Sequence, residues 1–272
     1  MKDALTDLSD ATLTRAVEEN DWELSRGIAN LPDGEVHDDP GLLWHSTGIP
    51  IAFLNGVSRA RFEPADADAR IERALAAFRC RALPAQWTVG PASAPPDLGR
   101  RLLEHGLKLG ETTPGMACDL ATVQETASAA SGIEVRPVLD ESGVEDLHAA
   151  TTAAFGSEPP VADGIRRWYR AIRCGRPDLV RSYVGYLNGE AAGGSTAFFG
   201  AGVVGLYGVG TAPEARHLGV GRAVSLAPLL EARERGYRAA VLTSSEMGIS
   251  IYRRLGFREV CSLDRFVFSP SD

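Results

Sequence analysis

The sequence is poor in the residues that build metal and redox centres. Its four cysteines (Cys80, Cys118, Cys174, Cys261) form no C-x-x-C pair, and its five histidines show no H-E-x-x-H spacing. These absences predict no bound metal and no disulfide framework, as in a reducing, cytoplasmic setting. No run of about 18 apolar residues occurs, so no membrane span is expected. The opening "MKDALTDLSDATLTR" is too acidic, and too short of apolar residues, to read as a signal peptide. Basic residues are outnumbered: 28 Lys and Arg face 36 Asp and Glu, a net charge of −8. Such a surface has no general attraction to nucleic acid or to an anionic membrane.

Small polar residues without periodicity fill "ATVQETASAASG", residues 121–132. They predict a linker at 125–132 between one domain over 1–124 and another over 133–272. Residues 1–124 carry 12 basic against 19 acidic residues, so most of the acidity lies there.

The second part alternates strand and helix signals. Strands are expected at 133–139, 180–187, 191–200, 203–211 and 238–243, with a hairpin turn at Asn188-Gly189. Helices are expected at 141–155, 160–173, 219–235 (closed by Gly236) and 248–256. "FREVCSL" and "RFVFS" read as two closing strands. The first part repeats the order more faintly. It shows strands at 41–48, 51–62 and 86–91, a helix at 66–81, and a helix, a glycine and a strand over 96–120. A diverged internal duplication is the reading. Trp44 and Trp87 read as core residues.

Most of the chemical signal sits in "VGTAPEARHLGVGRAVS", residues 209–225. A strand ends near Thr211 and a helix begins near Gly219. The first turn of a helix leaves N–H groups without partners at the positive end of its dipole. Glycine at 219 and 221 lets a bulky anion press against them, and Arg216 and Arg222 add charge. This describes a diphosphate cradle, although a tight packing turn reads as well from these residues alone. The Walker pattern fails for want of a nearby lysine. The dinucleotide fingerprint fails because Val224 or Pro213 takes the place of its third glycine.

"R-H-L-G-V-G" (216–221) resembles the [QR]-x-x-G-x-[GA] signature of the GCN5-related N-acetyltransferases, the GNAT family. "VGTAP" (209–213) and "SSEMGISIYRRLGF" (244–257) extend the resemblance over about 133–268. The resemblance implies an α/β (α+β) tandem GNAT fold, with mixed, mostly antiparallel sheets flanked by helices, and a degenerate first copy. It implies acetyl-coenzyme A as co-substrate, with the backbone of Val209, Gly210 and Thr211 receiving the pantetheine arm. The amide of Val209 or Gly210 would face the thioester carbonyl. Arg216, His217, Leu218, Gly219, Val220, Gly221 and Arg222 would hold the diphosphate. Tyr252 would sit near the sulfur as hydrogen-bond donor to the departing thiolate. Ser245 stands where many relatives have asparagine.

The implied activity is N-acetyl transfer to a small-molecule amine by direct attack. The alternative is a non-catalytic acyl-coenzyme A sensor. Transfer of a longer acyl chain is neither favoured nor excluded. No general base stands out among Glu158, Asp163, Glu190, Glu246 and His148, and water relayed to Tyr207 or Ser244 is a further route. The helix start at "EPADADARIERA" is acidic and lacks glycine, so the first copy should not bind coenzyme A that way. Its acidity would favour a cationic acceptor. Pro228 should kink or break the helix that follows the cradle. A homodimer is left open.

Overall fold

The computed structural model describes residues 4–28, 34–125, 132–175 and 178–270. The chain runs α1 (Asp10–Ile28), β1 (Glu35–Asp39), β2 (Leu42–Ser46), β3 (Gly56–Ser58), α2 (Ala67–Arg79), β4 (Ala85–Val89), α3 (Leu98–Glu104), β5 (Lys108–Asp119). It continues with β6 (Ile133–Pro137), α4 (Glu141–Phe155), α5 (Val161–Gly175), β7 (Val180–Leu187), β8 (Glu190–Gly200) and β9 (Val203–Thr211). It closes with α6 (Val220–Glu234), β10 (Ala239–Thr243), α7 (Ile249–Arg254) and β11 (Arg258–Phe268).

Two compact units share these elements, one comprising Met1–Asn20 with Met116–Val260, the other Asp21–Gly115 with Cys261–Asp272. Residues 1–20 and 116–124 therefore group with the second part of the chain rather than with the first. Leu13, Ala16 and Val17 of α1 are buried. The Asn20 carboxamide adds a bond to the Gly200 carbonyl at 2.9 Å. Residues 126–131 of the expected linker lie outside the described residues.

In the first unit the strands lie in the order β5-β10-β9-β8-β7-β6. From β6 to β9 each neighbour is antiparallel, while β9 and β10 are parallel and α6 is the crossover between them. The β7–β8 hairpin turns at Asn188 and Gly189, where φ is +53° and +90°, as the sequence predicts. Helix α4 spans the expected residues. The Asp140 carboxylate caps its start by accepting from the Gly143 amide at 2.8 Å, and left-handed Gly156 ends it.

The second unit has the order β1-β2-β3-β4-β11. The β1–β2 and β2–β3 pairs are antiparallel, β3 and β4 are parallel across α2, and β11 adds an antiparallel neighbour to β4. Hairpin, antiparallel strand, helix, parallel strand, short helix and long strand thus occur twice in the chain. That repeated order is what an internal duplication implies. Its cores are separate: Tyr183, Phe199, Leu229, Leu242 and Phe257 belong to one, and Ile71, Leu75, Phe78, Trp87 and Leu102 to the other.

Four local expectations change. Residues 51–62 do not form one strand. A 3₁₀ turn at Ala52–Leu54 precedes the short β3. The cause is Asn55, fully buried, whose amide donates to the carbonyls of Ile49, Ile51 and Pro84 while its oxygen accepts from the Thr47 amide. The two closing strands are the single strand β11. Helix α1 and strand β1 were not expected. Pro228 does not break α6, which is one helix from Val220 to Glu234. Proline cannot donate to the Val224 carbonyl four residues earlier, and the Ser195 hydroxyl of β8 does so instead, at 2.6 Å.

Candidate functional site

Strand β9 changes register at a bulge. Gly194 of β8 opposes Gly210, but Thr196 opposes Tyr207, so β9 takes three steps where β8 takes two. The extra residue falls at Gly208–Val209, with Gly208 at φ +57°, a conformation that glycine adopts without strain. On its other edge β9 pairs with β10 from Val204 to Leu206, opposite Ala240 to Leu242. Five more residues, 207–211, run beyond that ladder. The sheet opens there, and an extended ligand can align with such an edge through main-chain hydrogen bonds.

The chain then makes a 3₁₀ turn at Pro213–Ala215, passes left-handed His217 (φ +63°) and left-handed Gly219 (φ +96°), and enters α6. The first helical bond runs from the Ala223 amide to the Gly219 carbonyl at 3.0 Å. No side chain caps this start, and its first turn holds no carboxylate. The two glycines serve different ends. Gly219 supplies the left-handed entry. At Gly221 a Cβ would come within 2.9 Å of the Thr211 hydroxyl, so glycine lets the helix start approach β9. Arg216, His217 and Leu218 are exposed. The Arg216 guanidinium donates to the Ala154 carbonyl at 3.1 Å. Val220 is fully buried and packs with Val209.

Tyr252 lies on α7, 8% exposed, with its ring edge-on to Phe257 and its hydroxyl bonded to Ser225 of α6. Burial pushes its pKa up to about 12. Ser225 in turn donates to the Gly221 carbonyl at 2.8 Å, which connects the phenol to the first turn of α6. Ser245 is exposed. Ser244 is buried and donates to the Ser245 carbonyl. The residues named for the cradle, the strand edge and Tyr252 thus lie along β9, α6 and α7 of one unit.

The base candidates do not converge. Glu158, Asp163, Glu190 and Glu246 are exposed, and Asp163 pairs with Arg166 at 2.5 Å. His148 is half-buried, with Nδ1 3.3 Å from the Thr152 hydroxyl. Burial, and then Arg166, hold its pKa below the usual value. The Tyr207 hydroxyl donates to Asn20 at 2.7 Å.

Two neighbours of the bulge were not read from the sequence. Asn20 sits on the unexpected helix α1. Tyr169 lies within the helix expected at 160–173, and no role was read for it there. Among the described residues, no group of three or more His, Cys, Asp or Glu could hold a metal, and no helix is long and apolar enough to cross a membrane.

Residues 134–260, just under half of the chain, match the family model described as acetyltransferase (GNAT) domain. No curated protein matches the chain. Among solved structures, it is similar to a GCN5-related N-acetyltransferase from Kribbella flavida: 19% identity, TM-score 0.72, covering 93% of this chain and 95% of that one. A GCN5-related N-acetyltransferase from Sphaerobacter thermophilus gives 17% identity, TM-score 0.61, and coverage of 98% and 95%. A tandem GNAT protein from the clavulanic acid biosynthesis pathway gives 15% identity, TM-score 0.58, and coverage of 98% of both chains. At these identities the likeness establishes the fold, a mixed, mostly antiparallel sheet flanked by helices.

Proposed function

We propose that this protein transfers an acetyl group from acetyl-coenzyme A to the amine of a small molecule, by direct attack of the amine on the thioester. One observation carries the reading. The opened edge of β9 at 207–211 leads straight into an uncapped, carboxylate-free helix start at Gly219–Val220. An extended arm ending in a diphosphate suits that pairing of edge and helix dipole. Acetyl-coenzyme A supplies the activated acyl group.

The chain's own groups have separate tasks in this reading. The backbone of Val209, Gly210 and Thr211 aligns the arm, and residues 216–222 hold the diphosphate. The bulge turns the amide of Val209 or Gly210 toward the developing oxyanion. Tyr252, with a pKa of about 12, keeps its proton throughout the working range; its hydroxyl, which bonds to Ser225 at rest, turns that proton to the departing thiolate as the thioester breaks. A thiol of pKa about 8.5 leaves as the anion without taking that proton. The exposed carboxylates leave deprotonation of the amine to solvent.

Calorimetry with coenzyme A and with acetyl-coenzyme A should give complexes in the range of about 1 μM to 1 mM. Thiol release with a panel of primary amines should follow. Tyr252→Phe should lower kcat by about 10- to 100-fold while leaving the acetyl-coenzyme A KM within about twofold. No complex with either compound overturns the reading. A tight complex with no turnover for any amine assigns the chain to acyl-coenzyme A sensing instead.

A further inference from the structure

We infer that Tyr169 is the wall that restricts the transferred acyl group to short chains; this rests on the acetyl-transfer reading above. Gly208, the left-handed residue of the bulge, is exposed, and a Cβ built on it would lie 3.9 Å from the Tyr169 hydroxyl. Tyr169 itself is 4% exposed on α5. Its hydroxyl donates to the Thr151 hydroxyl of α4 at 3.3 Å, and Thr151 donates to the Leu147 carbonyl at 2.7 Å. Both protons are committed within the helices, so the phenol is held from behind. Two residues along β9, a Cβ on Gly210 would meet Ala154 at 2.8 Å and the Phe155 ring at 3.1 Å. The helix side of the bulge is therefore filled to van der Waals distance at both 208 and 210.

An acyl group whose carbonyl meets the amide of Val209 or Gly210 has this wall directly beside it. At Gly208 a methyl-sized group keeps ordinary contact distance to the Tyr169 hydroxyl, and at Gly210 it has less room. A longer chain must displace Tyr169. That breaks its bond to Thr151 and leaves buried hydroxyls unpartnered, which sets a penalty against length. The sequence left chain length open, and this contact decides it.

The test is calorimetry of coenzyme A, acetyl-coenzyme A, butyryl-coenzyme A and octanoyl-coenzyme A against the whole protein. The wild type should bind octanoyl-coenzyme A at least about 10-fold more weakly than acetyl-coenzyme A. Tyr169→Ala should bring the two within about twofold, and Tyr169→Phe, which keeps the ring but removes the hydroxyl and its bond to Thr151, should fall between that variant and the wild type. Thermal melts check the variants, and Tyr169→Leu replaces Tyr169→Ala if the latter does not fold. Equal binding of acetyl- and octanoyl-coenzyme A by the wild type overturns the inference, as does an unchanged ratio in the smaller variants. Failure of the wild type to bind coenzyme A itself is a separate result. It removes the acetyl-transfer reading, and this inference with it.

Discussion

The segments that enter the two crossover helices of this chain have the same length and opposite chemistry. Residues 59–66 lead from β3 to α2, and residues 212–219 lead from β9 to α6. At α2 the residue before the helix is Asp66, and Asp68 occupies the first turn. Asp68 bonds to Arg101 at 2.5 Å and lies 3.3 Å from the His105 ring, both at α3 or its end. The second unit thus places its own carboxylate at the positive end of its helix. At α6 the same place holds Gly219 and Gly221, and no carboxylate enters the first turn. A helix dipole attracts one anion or another. The repeat that supplies an anion from its own chain fills that place, and the repeat that withholds one leaves it open, as the proposed diphosphate site requires.

The sharpest way to break this contrast is to move the carboxylate. Gly221 is the second residue of α6, as Asp68 is of α2. Gly221→Asp should weaken coenzyme A binding by at least about 1,000-fold, because a fixed negative charge would face the diphosphate. Gly221→Ala is the control. Its Cβ meets the Thr211 hydroxyl at 2.9 Å, a side-chain atom that can rotate aside. Binding should stay within about tenfold, with a loss of about 1 kcal/mol in stability. Calorimetry on both variants separates charge from volume. Equal losses would mean that packing against β9, and not anion attraction, explains the glycine.

How far the sequence revealed this arrangement depended on local signals. Asn188-Gly189 and left-handed Gly236 marked the ends of their elements, because turn and cap chemistry depends on near neighbours. The glycine-led start of α6 was legible for the same reason: its signal lies within seven consecutive residues, 216–222. Asn55 was not legible. It ends a strand by bonding Ile49, Ile51 and Pro84, and the last of these is 29 residues away. Nor was Tyr169, whose hydroxyl reaches the bulge through a fold that only the coordinates bring together. Helix α1 hid because its buried stripe includes the polar residues Glu18 and Asn20. The exchange of residues 1–20 and 116–124 between units left no mark in composition.

A second difference between the units lies in buried polar groups that titrate. In the second unit His45 on β2 is 6% exposed, its ring lies over Gly56, and neither ring nitrogen has a hydrogen-bond partner. Burial lowers its pKa to about 4. Above pH 6.5 the ring is neutral in both folded and unfolded chains. Between about 6.5 and 4 the unfolded chain takes up a proton that the folded chain refuses, so stability falls as pH falls. The full loss is about 3 kcal/mol, reached near pH 4. Urea denaturation at pH 7.5, 6, 5 and 4.5 should follow that slope in the wild type. His45→Leu should remove this share of it and leave that of His148, whose pKa is also held below its usual value, and of carboxylates such as Asp39, whose pKa of about 2 places its loss at lower pH. Identical slopes in the two proteins would show that His45 is hydrated in the folded state.

The smallest expected effect concerns the crossover helices themselves. Helix α2 contains no proline, whereas α6 carries Pro228 in its interior. The gap this leaves at the Val224 carbonyl is closed by Ser195, fully buried on β8. Ser195→Ala should strand that carbonyl and cost about 2 kcal/mol by chemical denaturation. In a Pro228→Ala background the helix regains its own N–H donor, and the same serine change should cost well under 1 kcal/mol. The two substitutions would therefore couple by about 1–2 kcal/mol in a double-mutant cycle. Additive costs would mean that the serine and the proline are independent, and that α6 tolerates Pro228 without help from the sheet.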